Sequence, residues 1–114
     1  MEFRQMRLAL PSLVLLLSAA PVLAEITAIA DVQRNQPVTV AGTIERFHDE
    51  DEIRLRDETG SLRVYIGPQP VALSLGQSIQ VSGFMDGNLI RNELYAREIV
   101  LEDGTVITVE RRYE

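Results

Sequence analysis

The chain has 114 residues, no cysteine and a formal net charge of −6, and all 11 of its basic residues are arginines. That length holds one small domain. The missing thiols exclude disulfide staples, thiolate nucleophiles and a lipid-modified cysteine, and the acidic balance argues against a general nucleic-acid binder while remaining compatible with cationic partners.

Residues 1–24 read as an address rather than as fold. Arg4 and Arg7 supply a positive start, Leu8–Ala20 is apolar, and Val22 and Ala24 are small residues three and one before a cleavage point. This is the secretory signal pattern, with cleavage expected after Ala24. The apolar run is short for a membrane span and is interrupted by Pro11 and Pro21, so no stable span is expected after cleavage. Export without disulfides fits a bacterial periplasm. Cleavage removes one acid, Glu2, and two bases, Arg4 and Arg7, which moves the net charge from −6 to −7.

The expected domain is Glu25–Glu114. Glu25–Arg34 reads as one or two turns of helix across the bottom of a barrel, with Thr27 as a cap and Ile26, Ile29, Ala30 and Val32 on its apolar side; Asn35-Gln36-Pro37 ends it. Val38, Val40 and Ile44 then alternate with polar positions in a first strand. Gly42 lies mid-strand, where a bulge or tight bend is the usual reason. His48–Asp51 is a polar loop. Ile53 and Leu55 alternate with Arg54 and Arg56 in a second strand, Asp57–Gly60 has turn chemistry, and Leu62, Val64 and Ile66 alternate with Arg63 and Tyr65 in a third.

Placing apolar residues on one face sets a register. Ile53 is expected opposite Ile66, Leu55 opposite Val64, Arg54 opposite Tyr65, and Arg56 opposite Arg63. Between the first two strands Ile44 faces Leu55, which places Glu45 beside Arg54 and Thr43 beside Arg56.

Gly67-Pro68-Gln69-Pro70 breaks the sheet, and Val71–Leu75 links to a fourth strand over Ser78–Asp86 with a single helical turn. Gly83 sits mid-strand as Gly42 does. Gly87-Asn88 turns into a fifth strand, Leu94–Leu101. Asp103-Gly104 signals a two-residue hairpin leading to a last strand, Thr105–Arg111, with a frayed end beyond it.

Five strands, a break after the third, and glycines inside strands one and four predict an all-β fold. It is a small five-stranded Greek-key barrel of the OB type, with a short N-terminal helix and an extra C-terminal hairpin strand. Val40-Ala41-Gly42-Thr43-Ile44, Leu55-Arg56-Asp57-Glu58-Thr59-Gly60-Ser61-Leu62-Arg63-Val64 and Gly76-Gln77-Ser78-Ile79-Gln80-Val81-Ser82-Gly83 resemble the bacterial periplasmic OB-fold family, small exported proteins linked to envelope stress tolerance. The likeness spans most of residues 26–101. Members often carry a Trp after strand three, which this chain lacks, and the terminal hairpin lies outside the family's core. The motif of strands one to three is also similar to anticodon-binding OB domains of aminoacyl-tRNA synthetases, although function does not follow from fold.

Two groups are candidate ligand-binding residues. Arg54, Arg56, Arg63 and Tyr65 share the outer face of strands two and three, where OB domains bind oligonucleotides or oligosaccharides, and one ring among guanidinium groups makes a stacking platform; the competing reading is a solvated charged face. Asp49, Glu50, Asp51 and Glu52, after the only histidine, His48, form an acidic loop suited to a cation or cationic peptide. Four consecutive acids without glycine do not match a calcium loop, one histidine does not make a zinc site, and no nucleophile motif accompanies it. The reading is a non-catalytic binding or adaptor protein without metal or cofactor. Its partner is a small ligand, a cationic peptide or an envelope protein, and oligonucleotide binding is the alternative.

Overall fold

The structure is a computed structural model that describes residues 25–67, 72–87 and 92–110. The signal segment 1–24, the Pro68–Val71 break, the Asn88 turn position and the end 111–114 lie outside the described residues. The elements are a 3-10 turn (Ile29–Asp31) and six strands: β1 (Gln36–Asp49), β2 (Glu52–Asp57), β3 (Gly60–Tyr65), β4 (Ser78–Met85), β5 (Glu93–Leu101) and β6 (Val106–Thr108).

Strand order is β3-β2-β1-β4-β5-β6, and a parallel pairing of β3 with β5 closes the first five strands into a barrel. This is the OB-type all-β fold that the strand pattern predicts. β1 is long enough, at 14 residues, to pair with both β2 and β4. Alternate residues point inward: Val40, Ile44, Ile53, Leu55, Val64 and Val81 are each at most 1% exposed. Burial of such side chains, at about 1.5–3 kcal/mol each, is what a domain without disulfides has to hold it. Gly83 lies where a Cβ would overlap the Tyr95 carbonyl on β5, so only glycine permits that strand approach.

Several local expectations are corrected. The N-terminal segment forms a single 3-10 turn, and its N-cap is Ala28, without a side-chain cap bond; Thr27 instead donates its backbone N–H to the Thr39 carbonyl. The cap comes from a distant strand end. Asp57 accepts from the Ile29 N–H at 2.8 Å, and Thr59 Oγ1 accepts from the Ala30 N–H at 2.9 Å, which seats the buried Ile29 on the end of the barrel. The described part of the β3–β4 link, Ala72–Gln77, contains a turn at Leu75-Gly76 and no helix. The terminal hairpin pairs Val100 with Val106, so its loop exceeds two residues. Gly104 N–H donates to the Leu101 carbonyl, and Gly104 takes φ +91°, the left-handed step of a turn with a bulge.

The β1–β2 connection is also tighter than predicted. His48 and Asp49 belong to β1 and Glu52 to β2, leaving only Glu50-Asp51 as the turn.

Candidate functional site: the outer face of β1, β2 and β3

β2 and β3 pair two residues out of the expected register. Ile53 faces Val64, Leu55 faces Leu62, Arg54 faces Arg63, and Arg56 faces Ser61. The arginine pair is therefore Arg54/Arg63, not Arg56/Arg63, and Tyr65 lies opposite Glu52. The cause is the turn. Asp57 Oδ1 accepts from the N–H groups of Thr59 at 2.7 Å and Gly60 at 3.1 Å, and from the Thr59 hydroxyl at 2.6 Å. These bonds close a two-residue loop, and a shift of two leaves the inside–outside alternation intact. Burial works against the Asp57 charge, but the bonds from Thr59, Ile29 and Gly60 outweigh it and hold its pKa below the usual 3.8.

Between β1 and β2, Ile44 faces Leu55 and Thr43 faces Arg56 as predicted. An irregularity at Glu45 then places Arg46, not Glu45, opposite Arg54. A bulge of this kind turns two successive residues to one side. Both Glu45 and Arg46 are exposed, and Glu45 reaches Arg56 at 3.1 Å. Arg46, Arg54 and Arg63 thus form one row across three strands, and Arg46 is a member that the sequence reading passed over.

The row is unevenly neutralised. Arg63 donates to Glu52 at 2.9 Å, with the Glu52 side chain 11% exposed and that of Arg63 31%. Arg54 donates to the Ser61 hydroxyl at 2.9 Å. Among the described residues, Arg46 and Arg54 have no ion pair.

Glu52 is buried, so the acidic run does not present four carboxylates together. Its pKa is held below the usual 4.5, first by a hydrogen bond from the Glu93 side chain and then by Arg63, against the opposing effect of burial. Glu93 is itself only 3% exposed. Asp49 and Glu50 are exposed and Asp51 half-buried at the turn; a hydrogen bond between Asp49 and Asp51 raises the pKa of Asp51 and lowers that of Asp49.

The β3–β5 pairing adds residues that no local pattern could have linked to the face. It sets Arg63 beside Glu93 and Tyr65 beside Tyr95, with the two rings edge to face at 5.7 Å. Tyr95 in turn faces Phe84 on β4. His48 is half-buried, and its Nε2 is occluded with no hydrogen-bond partner. Desolvation, then Arg63 and Arg54, pull its pKa below 6.5, against a smaller opposite effect from Glu52. Further along the same outer face, a shallow groove of about 620 Å³ is bordered by Ala41, Thr43, Arg56, Gln80 and Val100.

No protein-family model matches the chain, and no curated protein matches it. Its fold is similar to the solved structure of the hypothetical protein ygiW from E. coli, with a TM-score of 0.60 and 18% sequence identity over 68% of this chain and 89% of that one. At that identity the likeness speaks for the fold.

Proposed function

We propose that the chain is a non-catalytic periplasmic OB-fold binding or adaptor protein of the bacterial stress-tolerance type, taking a small ligand or an envelope partner on the outer face of β1–β3. The observation that carries this reading is the facing pair Arg46/Arg54, left without carboxylate partners among the described residues, on the surface that OB domains use for ligands. Holding like charges opposite each other costs stability, a cost that a bound partner would offset. The fold likeness to ygiW supports the OB part. The signal pattern of residues 1–24 supports export, and the strand motifs that resemble the periplasmic family support a role in envelope stress. At the end of the face, the Asp49-Glu50-Asp51 turn suits a cationic group.

A second reading, an oligonucleotide binder, is favoured by the Tyr65/Tyr95 ring pair near the arginine row, since bases stack on rings and phosphates pair with arginines. The net charge of −6 opposes it.

Amide NMR separates these readings. The protein is titrated in parallel with a single-stranded oligonucleotide, a cationic peptide and an envelope extract, and a strain lacking it is grown under envelope stress. Shifts on β1–β3 together with a growth defect support the first reading. Oligonucleotide binding that weakens steeply with salt supports the second. Silence in all three tubes with normal growth would sink both.

A further inference from the structure

Three arginines stand in one row by backbone register on the outer face, Arg46 opposite Arg54 and Arg54 opposite Arg63. Arg63 is answered by Glu52 at 2.9 Å, and Arg56, the next outward residue of β2, by Glu45 at 3.1 Å. Among the described residues Arg46 and Arg54, opposite each other across β1 and β2, have no carboxylate within ion-pair distance. Beside them lies an imidazole nitrogen, His48 Nε2, that is occluded and bonded to nothing. The charged groups facing it are Arg46 and Asp49 on its own strand, Arg54 and Glu52 from β2, and Arg63 from β3.

We propose that Arg46 and Arg54 form a site for a doubly charged phosphoryl group, with His48 at its edge. This rests on the reading of the β1–β3 face as a binding face and names the ligand chemistry there. The argument is one of charge and donors. Each guanidinium presents a planar fork of N–H groups. A carboxylate carries one charge and is satisfied by a single fork; a phosphate monoester carries up to two charges on three terminal oxygens and engages two forks at once. Arg54 already directs one terminal nitrogen to Ser61, which fixes the orientation of its guanidinium and leaves the other donors for a ligand.

His48 reports on occupancy. It is the only histidine in the chain, so its ring protons are unambiguous in an NMR spectrum. An anion between the arginines cancels part of the positive field that disfavours the imidazolium, an effect that acts through space and needs no contact with the occluded Nε2.

The test follows the His48 titration in the protein with sodium phosphate against sodium chloride at equal ionic strength. The expected result is a midpoint about one pH unit higher in phosphate, the size of effect a close opposite charge produces, and loss of that difference in the Arg46→Gln/Arg54→Gln variant. Arg46→Gln alone, at an exposed position, gives a reduced difference if the double variant fails to fold. Vesicles of phosphatidic acid, compared with phosphatidylcholine, distinguish the source. A response to free phosphate indicates a soluble ligand, a response to phosphatidic acid alone indicates a lipid headgroup, and either upholds the site. Equal midpoints in phosphate and chloride with no vesicle response, or a difference that persists in the double variant, would overturn it. If an envelope partner still moves β1–β3 amides while phosphate and vesicles do nothing, the phosphoryl site falls and the binding-face reading stands; if nothing moves them, both fall.

Discussion

Arg54 on β2 stands directly opposite Arg63 on β3, and only Arg63 has a carboxylate, Glu52, within ion-pair reach. That asymmetry divides the outer face into a neutralised part, where Arg63, Glu52 and Glu93 answer one another, and an open part formed by Arg54 and Arg46.

Glu52→Gln tests the neutralised part. Glu52 is 9% exposed and Arg63 donates to it at 2.9 Å. Removing the charge leaves a half-buried guanidinium without its partner and Glu93 without its carboxylate acceptor. The expected loss is about 1–3 kcal/mol, read by chemical denaturation. A change within experimental scatter would show that solvent already satisfies Arg63.

Acid stability depends on Glu52 and on Asp57, whose pKa values are both held below the usual 4.5 and 3.8. A carboxylate with a depressed folded pKa contributes stability that is complete above its unfolded value and is lost as pH falls through the folded one. These two carboxylates are therefore expected to lower the melting temperature only below about pH 5, in addition to the smaller fall that the depressed pKa of His48 gives as pH drops below about 6.5. In Asp57→Asn the protein is less stable at neutral pH and the acid slope is shallower. An unchanged slope in that variant would remove Asp57 from the account.

Asp57 also ties two distant pieces of chain together. It accepts from the Ile29 N–H of the 3-10 turn and from the Thr59 and Gly60 N–H groups of the β2–β3 turn. Asp57→Ala is expected to cost about 1–2 kcal/mol, as loss of a helix cap does. Hydrogen exchange should accelerate at Ile29 and Ala30 before it does in β1. Acceleration confined to the β2–β3 turn would mean that Ile29 is held by packing alone.

Much of the fold was legible because period-two alternation marks the core positions of most of each strand between the irregularities of β1 and β5, and because Gly42 and Gly83 mark close approaches that their neighbours enforce: a Cβ at either would overlap the backbone carbonyl of Arg56 or of Tyr95. The register of β2 against β3 was not legible from alternation, since a two-residue slip keeps Ile53, Leu55, Leu62 and Val64 inside. The Asp57 carboxylate decides it by closing a tighter loop. Arg46 was hidden by the bulge at Glu45. Glu93 and Tyr95 reach the face only through the parallel β3–β5 pairing, a long-range contact that leaves no mark in either segment. Of the residues singled out beforehand, Arg54 and Arg63 do meet, Arg56 stands apart with Glu45, and the acidic run divides between an exposed turn and the buried Glu52.

Gly83→Ala should be the most damaging single substitution among the strand glycines. The added methyl meets the Tyr95 carbonyl and the Ala96 Cα on β5, backbone atoms that cannot swing aside as a side chain can. The expected cost is about 2–3 kcal/mol from forced separation of β4 and β5, with loss of the Tyr65/Tyr95 ring contact visible in near-UV circular dichroism. A variant of wild-type stability would mean that the β4–β5 approach at Gly83 yields more easily than its geometry implies.

Glu45→Gln probes the open part of the face without touching the core. The Glu45–Arg56 pair is surface-exposed, 37% and 55% for the two side chains, and exposed pairs contribute little, so stability should change by less than about 1 kcal/mol. The electrostatic effect is larger than the structural one. Arg56 becomes a third uncompensated guanidinium beside Arg54, and the lost carboxylate charge no longer repels a bound dianion, an effect on the order of 1 kcal/mol at the dielectric of water. Phosphate should then bind roughly fivefold more tightly at low ionic strength, and the gain should fade as salt is added. Weaker phosphate binding in Glu45→Gln would mean that Glu45 holds the guanidinium row in place, not that it competes with the ligand.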